Sequence, residues 1–191
     1  MKSNKKMEIL GQTIEPGKGY QLNMNVAKLH THTPIQVPVF IERSKKDGPV
    51  LLIMAGMHGD EINGVEIVRR IIRNKYNKPN SGTVICLPVF NIFGFLNISR
   101  VLPDGRDLNR SFPGSKNGSL AGQFAYQFLK EIAPHVDYVL DFHTGARQRN
   151  NAAQVRCVLK DPRSVELAKA FNPPFIVHSN LIPKSLRDAI V

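Results

Sequence analysis

Six apolar residues, Val50-Leu51-Leu52-Ile53-Met54-Ala55, run directly into Gly56-Met57-His58-Gly59-Asp60-Glu61. An unbroken apolar run of this length reads as a strand buried on both faces. From there the spacing becomes helical. Ile62, Val65, Val68 and Ile72 recur three or four apart, and Ile67 and Ile71 widen the stripe. Asp60 is placed to cap that helix. A strand buried on two faces and followed by an amphipathic helix commits the chain to layers of helix on sheet.

The rest of the chain keeps to that plan after residue 48. Thr83 to Val89 reads as a strand, Ser119 to Ile132 as a helix with Ala121, Phe124, Ala125 and Phe128 on one face, and Tyr138 to His143 as a strand. Val155 to Leu159 predicts another strand, Ser164 to Phe171 a short helix and Phe175 to Val177 a strand. Leu186 to Val191 has the look of a further helix. The expected fold class is therefore α/β, with a mostly parallel or mixed sheet and helices on both faces.

Residues 1–48 differ. They form a β-rich N-terminal segment with turn signals at Glu15-Pro16-Gly17 and Lys45-Lys46-Asp47-Gly48, ahead of an α/β domain over 49–191. Pro38 suits only a strand edge or a bulge. His30 and His32, two apart, read as one face of a strand. Asn91 to Gly118 is too polar and too rich in Gly and Pro for a core element, and a loop of that length is commonly functional.

Composition narrows the class. With 191 residues, 42% hydrophobic and 21% charged, the chain is globular rather than disordered. No apolar run suits a membrane span or a signal peptide, so a cytoplasmic location is expected. Cys86 and Cys157 sit singly in strands, as reduced core residues do. The net charge of +11 is scattered, with short clusters at Lys2/Lys5/Lys6 and Arg43/Lys45/Lys46 and no stacking aromatics between them. That argues against nucleic acid and leaves two readings, a field around a site taking a small anionic substrate and a solvated basic surface.

His58 and Glu61 lie at a strand-to-helix junction, where open α/β sheets gather functional groups. An imidazole and a carboxylate are two parts of the His₂Glu set of catalytic zinc sites. His143 also ends a predicted strand. If the two strands are parallel neighbours, the imidazoles converge and leave one position open for water. Asp141, two residues earlier on the same strand face, reads equally as a residue that orients His143 and as a buried carboxylate bonded to backbone. His135 and His178 have no partner at ligand spacing. The long segment adds Arg100 and the run Arg106 to Gly114, whose guanidiniums suit carboxylates and developing oxyanions.

Three stretches in order, Gly56 to Glu61, Asp107-Leu108-Asn109-Arg110-Ser111-Phe112-Pro113-Gly114 and Asp141-Phe142-His143-Thr144-Gly145, resemble the succinylglutamate desuccinylase/aspartoacylase family of the zinc carboxypeptidase-like superfamily. The resemblance implies an α/β hydrolase with one zinc per chain, cleaving the amide bond of a small N-acyl amino acid. It implies His58, Glu61 and His143 as zinc ligands, Asn109 and Arg110 as the grip on a substrate carboxylate, and Arg100 as the residue polarising the scissile carbonyl.

That family's general base is a glutamate on a later strand, closely followed by glycine. After His143 the sequence offers only Glu166, in an amphipathic helical context that suits a solvated face. The sequence thus reads as a member incomplete at its C-terminus, with the metal half of a site and without its proton-handling half. A zinc carboxypeptidase-type peptidase and a non-catalytic metal-binding remnant stand as alternatives.

Overall fold

The computed structural model describes residues 6–145 and 149–190. Lys2 and Lys5 of the N-terminal basic cluster lie outside that range, as does Val191 at the end of the last predicted helix. The hairpin β1 (Met7–Ile9) and β2 (Gln12–Ile14) opens the chain. Strands β3 (Gly19–Lys28) and β4 (Pro34–Arg43) follow, then β5 (Val50–Ala55), α1 (Ile62–Arg73) and β6 (Thr83–Leu87). Next come α2 (Ile92–Leu96), a 3-10 turn (Leu108–Arg110), α3 (Leu120–Glu131) and β7 (Tyr138–Phe142). The last elements are β8 (Gln154–Cys157), α4 (Pro162–Phe171), β9 (Phe175–His178) and α5 (Leu186–Ala189).

Five strands form the central mixed sheet in the order β3-β4-β6-β5-β7. β5 runs parallel to β6 and β7, while β4 is antiparallel to β3 and β6. The β-rich segment is thus no separate layer: β3 and β4 extend the sheet that β5 begins. Pro38 pairs only toward β3, because the register with β6 spans Phe40 to Arg43. A proline there interrupts no second ladder.

Successive residues of the central strands feed two different cores, which is why β5 is apolar throughout. Leu52, Met54, Ile85 and Leu87 face the core closed by Phe124, Ala125 and Phe128 of α3. Ile53, Ala55, Val84 and Cys86 face the core closed by Val65 and Val68 of α1. One helix on each face is the layering expected. The buried stripe of α1 is narrower than its spacing suggested, since Ile62 and Ile67 are 53% and 42% exposed.

Four expectations need correction. Asp60 does not cap α1: Glu61 holds the N-cap position, and its side chain bonds elsewhere. His30 and His32 stand exposed in the turn joining β3 to β4, closed by the Leu29 N–H to Thr33 O bond, and not on a strand. The long segment from Asn91 is not a plain loop, for α2 and the 3-10 turn are folded within it. Finally, β8 does not join the central sheet; it pairs with β9 in a two-stranded parallel sheet of its own. Strand character is encoded locally, but the partner of a strand is not.

Candidate metal centre

Because β5 and β7 are parallel neighbours, Ala55 pairs with Phe142 and both chains leave the sheet at the same end. His58 follows three residues after one strand and His143 one residue after the other. The turn carrying His58 is tightly seated. Gly56 has φ +65, and a side chain on Gly59 would stand 1.8 Å from the carbonyl carbon of Gly94. Only glycine permits α2 to pack that closely. Glu61 then holds the N-cap of α1, and its carboxylate turns back to the histidines at the strand ends.

The three side chains meet. His58 Nδ1 lies 3.0 Å from Glu61 Oε1, and His143 Nδ1 lies 3.0 Å from Glu61 Oε2. The ring centroids are 5.0 Å apart. One candidate ligand atom from each residue falls within 4.8 Å of the others. His58 and Glu61 are 3% exposed, whereas the His143 side chain is 32% exposed and opens the site to a cleft.

The far side of each imidazole is also occupied. His58 Nε2 is 3.2 Å from Asp107 Oδ1, and His143 Nε2 is 2.8 Å from Asp141 Oδ2. Carboxylates that bind one ring nitrogen fix the ring and leave the other aimed at a metal. The donor set, two Nδ1 atoms and one carboxylate with outer carboxylates behind both rings, therefore fits a divalent metal. In zinc enzymes such a set leaves a position for water or substrate.

Charge at the site follows from these bonds. Burial pushes the Glu61 carboxyl up, but hydrogen bonds from His143, His58 and the Thr144 N–H outweigh it and hold its pKa far below the carboxylate range. Burial likewise opposes ionisation of Asp107, and the bond to His58 overcomes it. Burial works against a charged His143, yet Asp141 and Glu61 raise its pKa to about 10. His58 is raised as well: against its burial, the bonds its ring donates to Asp107 and Glu61 prevail. A cluster this negative stabilises positive charge, whether imidazolium protons or a bound cation.

Arg100 reaches the same cluster. One guanidinium nitrogen is 3.4 Å from Glu61 Oε1 and another 3.0 Å from Asp107 Oδ2, with the side chain 38% exposed toward the cleft. Asn109 and Arg110 line that cleft, whose volume is about 690 Å³. Asn109 Oδ1 accepts the Leu186 N–H at 2.9 Å, which leaves its amide NH₂ for a ligand. Arg110 is exposed and donates to the Asn109 carbonyl at 2.5 Å.

The other sequence candidates stay apart. His135 ends a 3-10 turn away from the cleft. His178 Nδ1 accepts the Leu159 N–H at 3.2 Å, a local bond at the end of β9. Glu166 is exposed on α4 and does not line the cleft. Cys86 and Cys157 are free and buried. No described helix is long and apolar enough to cross a membrane.

Asp107 is the residue that the sequence did not single out. It accepts from Asn109 N at 2.9 Å, caps the 3-10 turn and bonds both His58 and Arg100. Its position two residues before Asn109 was the available signal, since an aspartate there caps whatever turn presents the asparagine.

Fold and site together define an α/β protein with a His/Glu/His donor set at the carboxyl ends of two adjacent parallel strands. The chain belongs to the succinylglutamate desuccinylase/aspartoacylase catalytic domain family, whose model matches residues 47–188. It is 33% identical over 149 residues to the N-α-acetyl-L-2,4-diaminobutyric acid deacetylase of Halomonas elongata, covering 75% of this chain and 43% of that protein. An aspartoacylase family protein from Mesorhizobium loti superposes with a TM-score of 0.81 at 29% identity, covering 92% of this chain and 58% of that one. The product-bound ectoine utilization protein EutE (DoeB) of Ruegeria pomeroyi shares the fold with a TM-score of 0.75 at 24% identity, covering 90% of this chain and 56% of that one. The chain thus spans about half the length of these relatives.

Proposed function

We propose that this chain carries the metal centre of a zinc-dependent hydrolase that cleaves the amide bond of a small N-acyl amino acid. The observation that carries the reading is the convergence of His58 Nδ1, Glu61 and His143 Nδ1 within 4.8 Å at the mouth of a cleft lined by Arg100, Asn109 and Arg110. Family membership and the deacetylase relative support amide hydrolysis as the reaction class. A zinc ion in this set supplies Lewis acidity and an acidified water.

The chain's own residues do the rest. Asn109 and Arg110 hold the substrate carboxylate and so fix where the acyl amide lies. Arg100, 38% exposed and tethered by two carboxylates, presents a preorganised cation toward charge developing on the carbonyl oxygen. Asp107 and Asp141 keep both imidazoles turned inward. The described carboxylates lining the cleft are Glu61 and Asp141, and both are engaged by histidine. Without a free carboxylate to take a proton, turnover falls by about 10²–10⁴-fold relative to a site that has one.

The test is metal analysis with a paired assay. One zinc per chain is expected after loading and none in His143→Ala. N-acyl amino acids should be hydrolysed faster than short peptides, which would favour a peptidase if the order were reversed. A wild-type protein that takes up no zinc on titration ends the proposal.

A further inference from the structure

The Asn109 side chain ends in two chemically opposite atoms, and the one that faces the cleft decides what the cleft can hold. Its oxygen accepts hydrogen bonds and its NH₂ donates them. Oδ1 accepts the Leu186 N–H at 2.9 Å, from a residue 77 positions further along the chain. An NH₂ turned that way would set donor against donor. Nδ2 is thereby directed away from Leu186, on a side chain that lines the cleft beside Arg110.

The donor is held as firmly as the acceptor. Leu186 begins α5, with its side chain buried in the larger core. Two residues earlier, the Lys184 carbonyl accepts the Phe112 N–H at 3.1 Å, and the Lys184 N–H donates to Asp188 Oδ2 at 3.0 Å. Ser185 is buried, and its hydroxyl accepts the Asp188 N–H at 3.2 Å. Residues 184–188 are thus tied at two points to the segment that carries Asn109, and one of those points is the Asn109 amide. From the other side, Asp107 holds the Asn109 backbone N–H at 2.9 Å.

We infer that the Leu186 backbone N–H determines specificity: by pinning the Asn109 oxygen it keeps the NH₂ toward the cleft, which then reads a carboxylate in preference to a neutral carboxamide. The inference rests on the grip assigned to Asn109 and Arg110 under the proposed function. Arg110 attracts a carboxylate by charge, and the fixed NH₂ adds a second donor for it. A carboxamide NH₂ placed there meets a donor instead of an acceptor. An unpinned Asn109 is free to present its oxygen, which repels a carboxylate and accepts from a carboxamide.

The backbone at this point allows the N–H to be deleted alone. As the first residue of α5, Leu186 has no intrahelical use for its N–H, and Ser185 at φ −84 and ψ 164 already has the extended conformation that precedes proline. Leu186→Pro removes the N–H, whereas Leu186→Ala removes the side chain and keeps the N–H. The probes are N-acetyl-L-alanine and N-acetyl-L-alaninamide, titrated calorimetrically into the full chain without added metal, so that no turnover enters. Wild type and Leu186→Ala should prefer the carboxylate to the same degree, and in Leu186→Pro the ratio of the two affinities should fall roughly tenfold. Asp188→Ala, an exposed change that releases the Lys184 N–H, should lower the ratio in the same direction, and it decides the matter if the proline variant does not fold. An undiminished ratio in Leu186→Pro, or in Asp188→Ala where it stands in, overturns the inference and leaves the substrate grip in place. An equal fall in Leu186→Ala assigns the effect to packing and overturns it too. A wild type without preference for the carboxylate overturns the grip and the inference together.

Discussion

Asp107 does more at this site than any residue of its size. It holds a histidine, an arginine and the backbone of the turn that presents Asn109. Asp107→Asn separates these roles, because asparagine caps a turn as well as aspartate but carries no charge. The variant should keep its unfolding midpoint in urea and lose about 10–100-fold in zinc affinity, measured by competition with a chelating dye. An unchanged affinity would reduce Asp107 to a turn residue. Cys86 makes a contrasting case. Burial pushes its thiol up to about 12, so a thiol reagent at pH 8 should leave it unmodified until denaturant is added. His58 and Glu61 were legible in sequence because an apolar run and a helical stripe bracket them. Asp107 was not, since a single aspartate in a polar segment has the same local signature whether it binds water or a histidine.

At the scale of elements, α3 carries the larger core. Phe128 is fully buried, with the Phe90 ring centre 5.4 Å and the Phe112 ring centre 6.2 Å away. Phe128→Ala should cost about 3–5 kcal/mol in denaturant unfolding. Ser119→Ala, which removes the acceptor of the Gly122 N–H at the start of the same helix, should cost about 1 kcal/mol. Equal losses in the two variants would mean that α3 is held by its cap rather than by its face. The helices α1 and α3 could be read from the sequence because amphipathic spacing extends over three turns. The five-residue α2 could not: it owes its place to the Asn91 side chain accepting from Gly94 N and to the close approach of Gly59. Nor could the separation of β8 from the central sheet, since alternation along a strand says which face is buried and nothing about which neighbour it finds.

For the whole molecule, stability should be graded from the middle of the sheet outward. β5 and β6 are buried between two helices, whereas β9 is mostly exposed. Amide exchange should be slowest in residues 50–55 and 83–87 and fastest among the strands in 175–178. Slow exchange at β9 would contradict the arrangement. The same middle strands carry the site, and here its wiring matters. His58 and Glu61 come from one turn, but His143 lies 82 residues beyond Glu61. A cation held by all three is a cross-link between distant parts of the chain that the unfolded state cannot reproduce. Melting temperature then becomes a titration of the site: it should climb with free zinc, by the equivalent of about 2.7 kcal/mol at a hundredfold excess over the dissociation constant. In His143→Ala the curve should be flat, so that the fold itself serves as the indicator of whether its three ligands are intact.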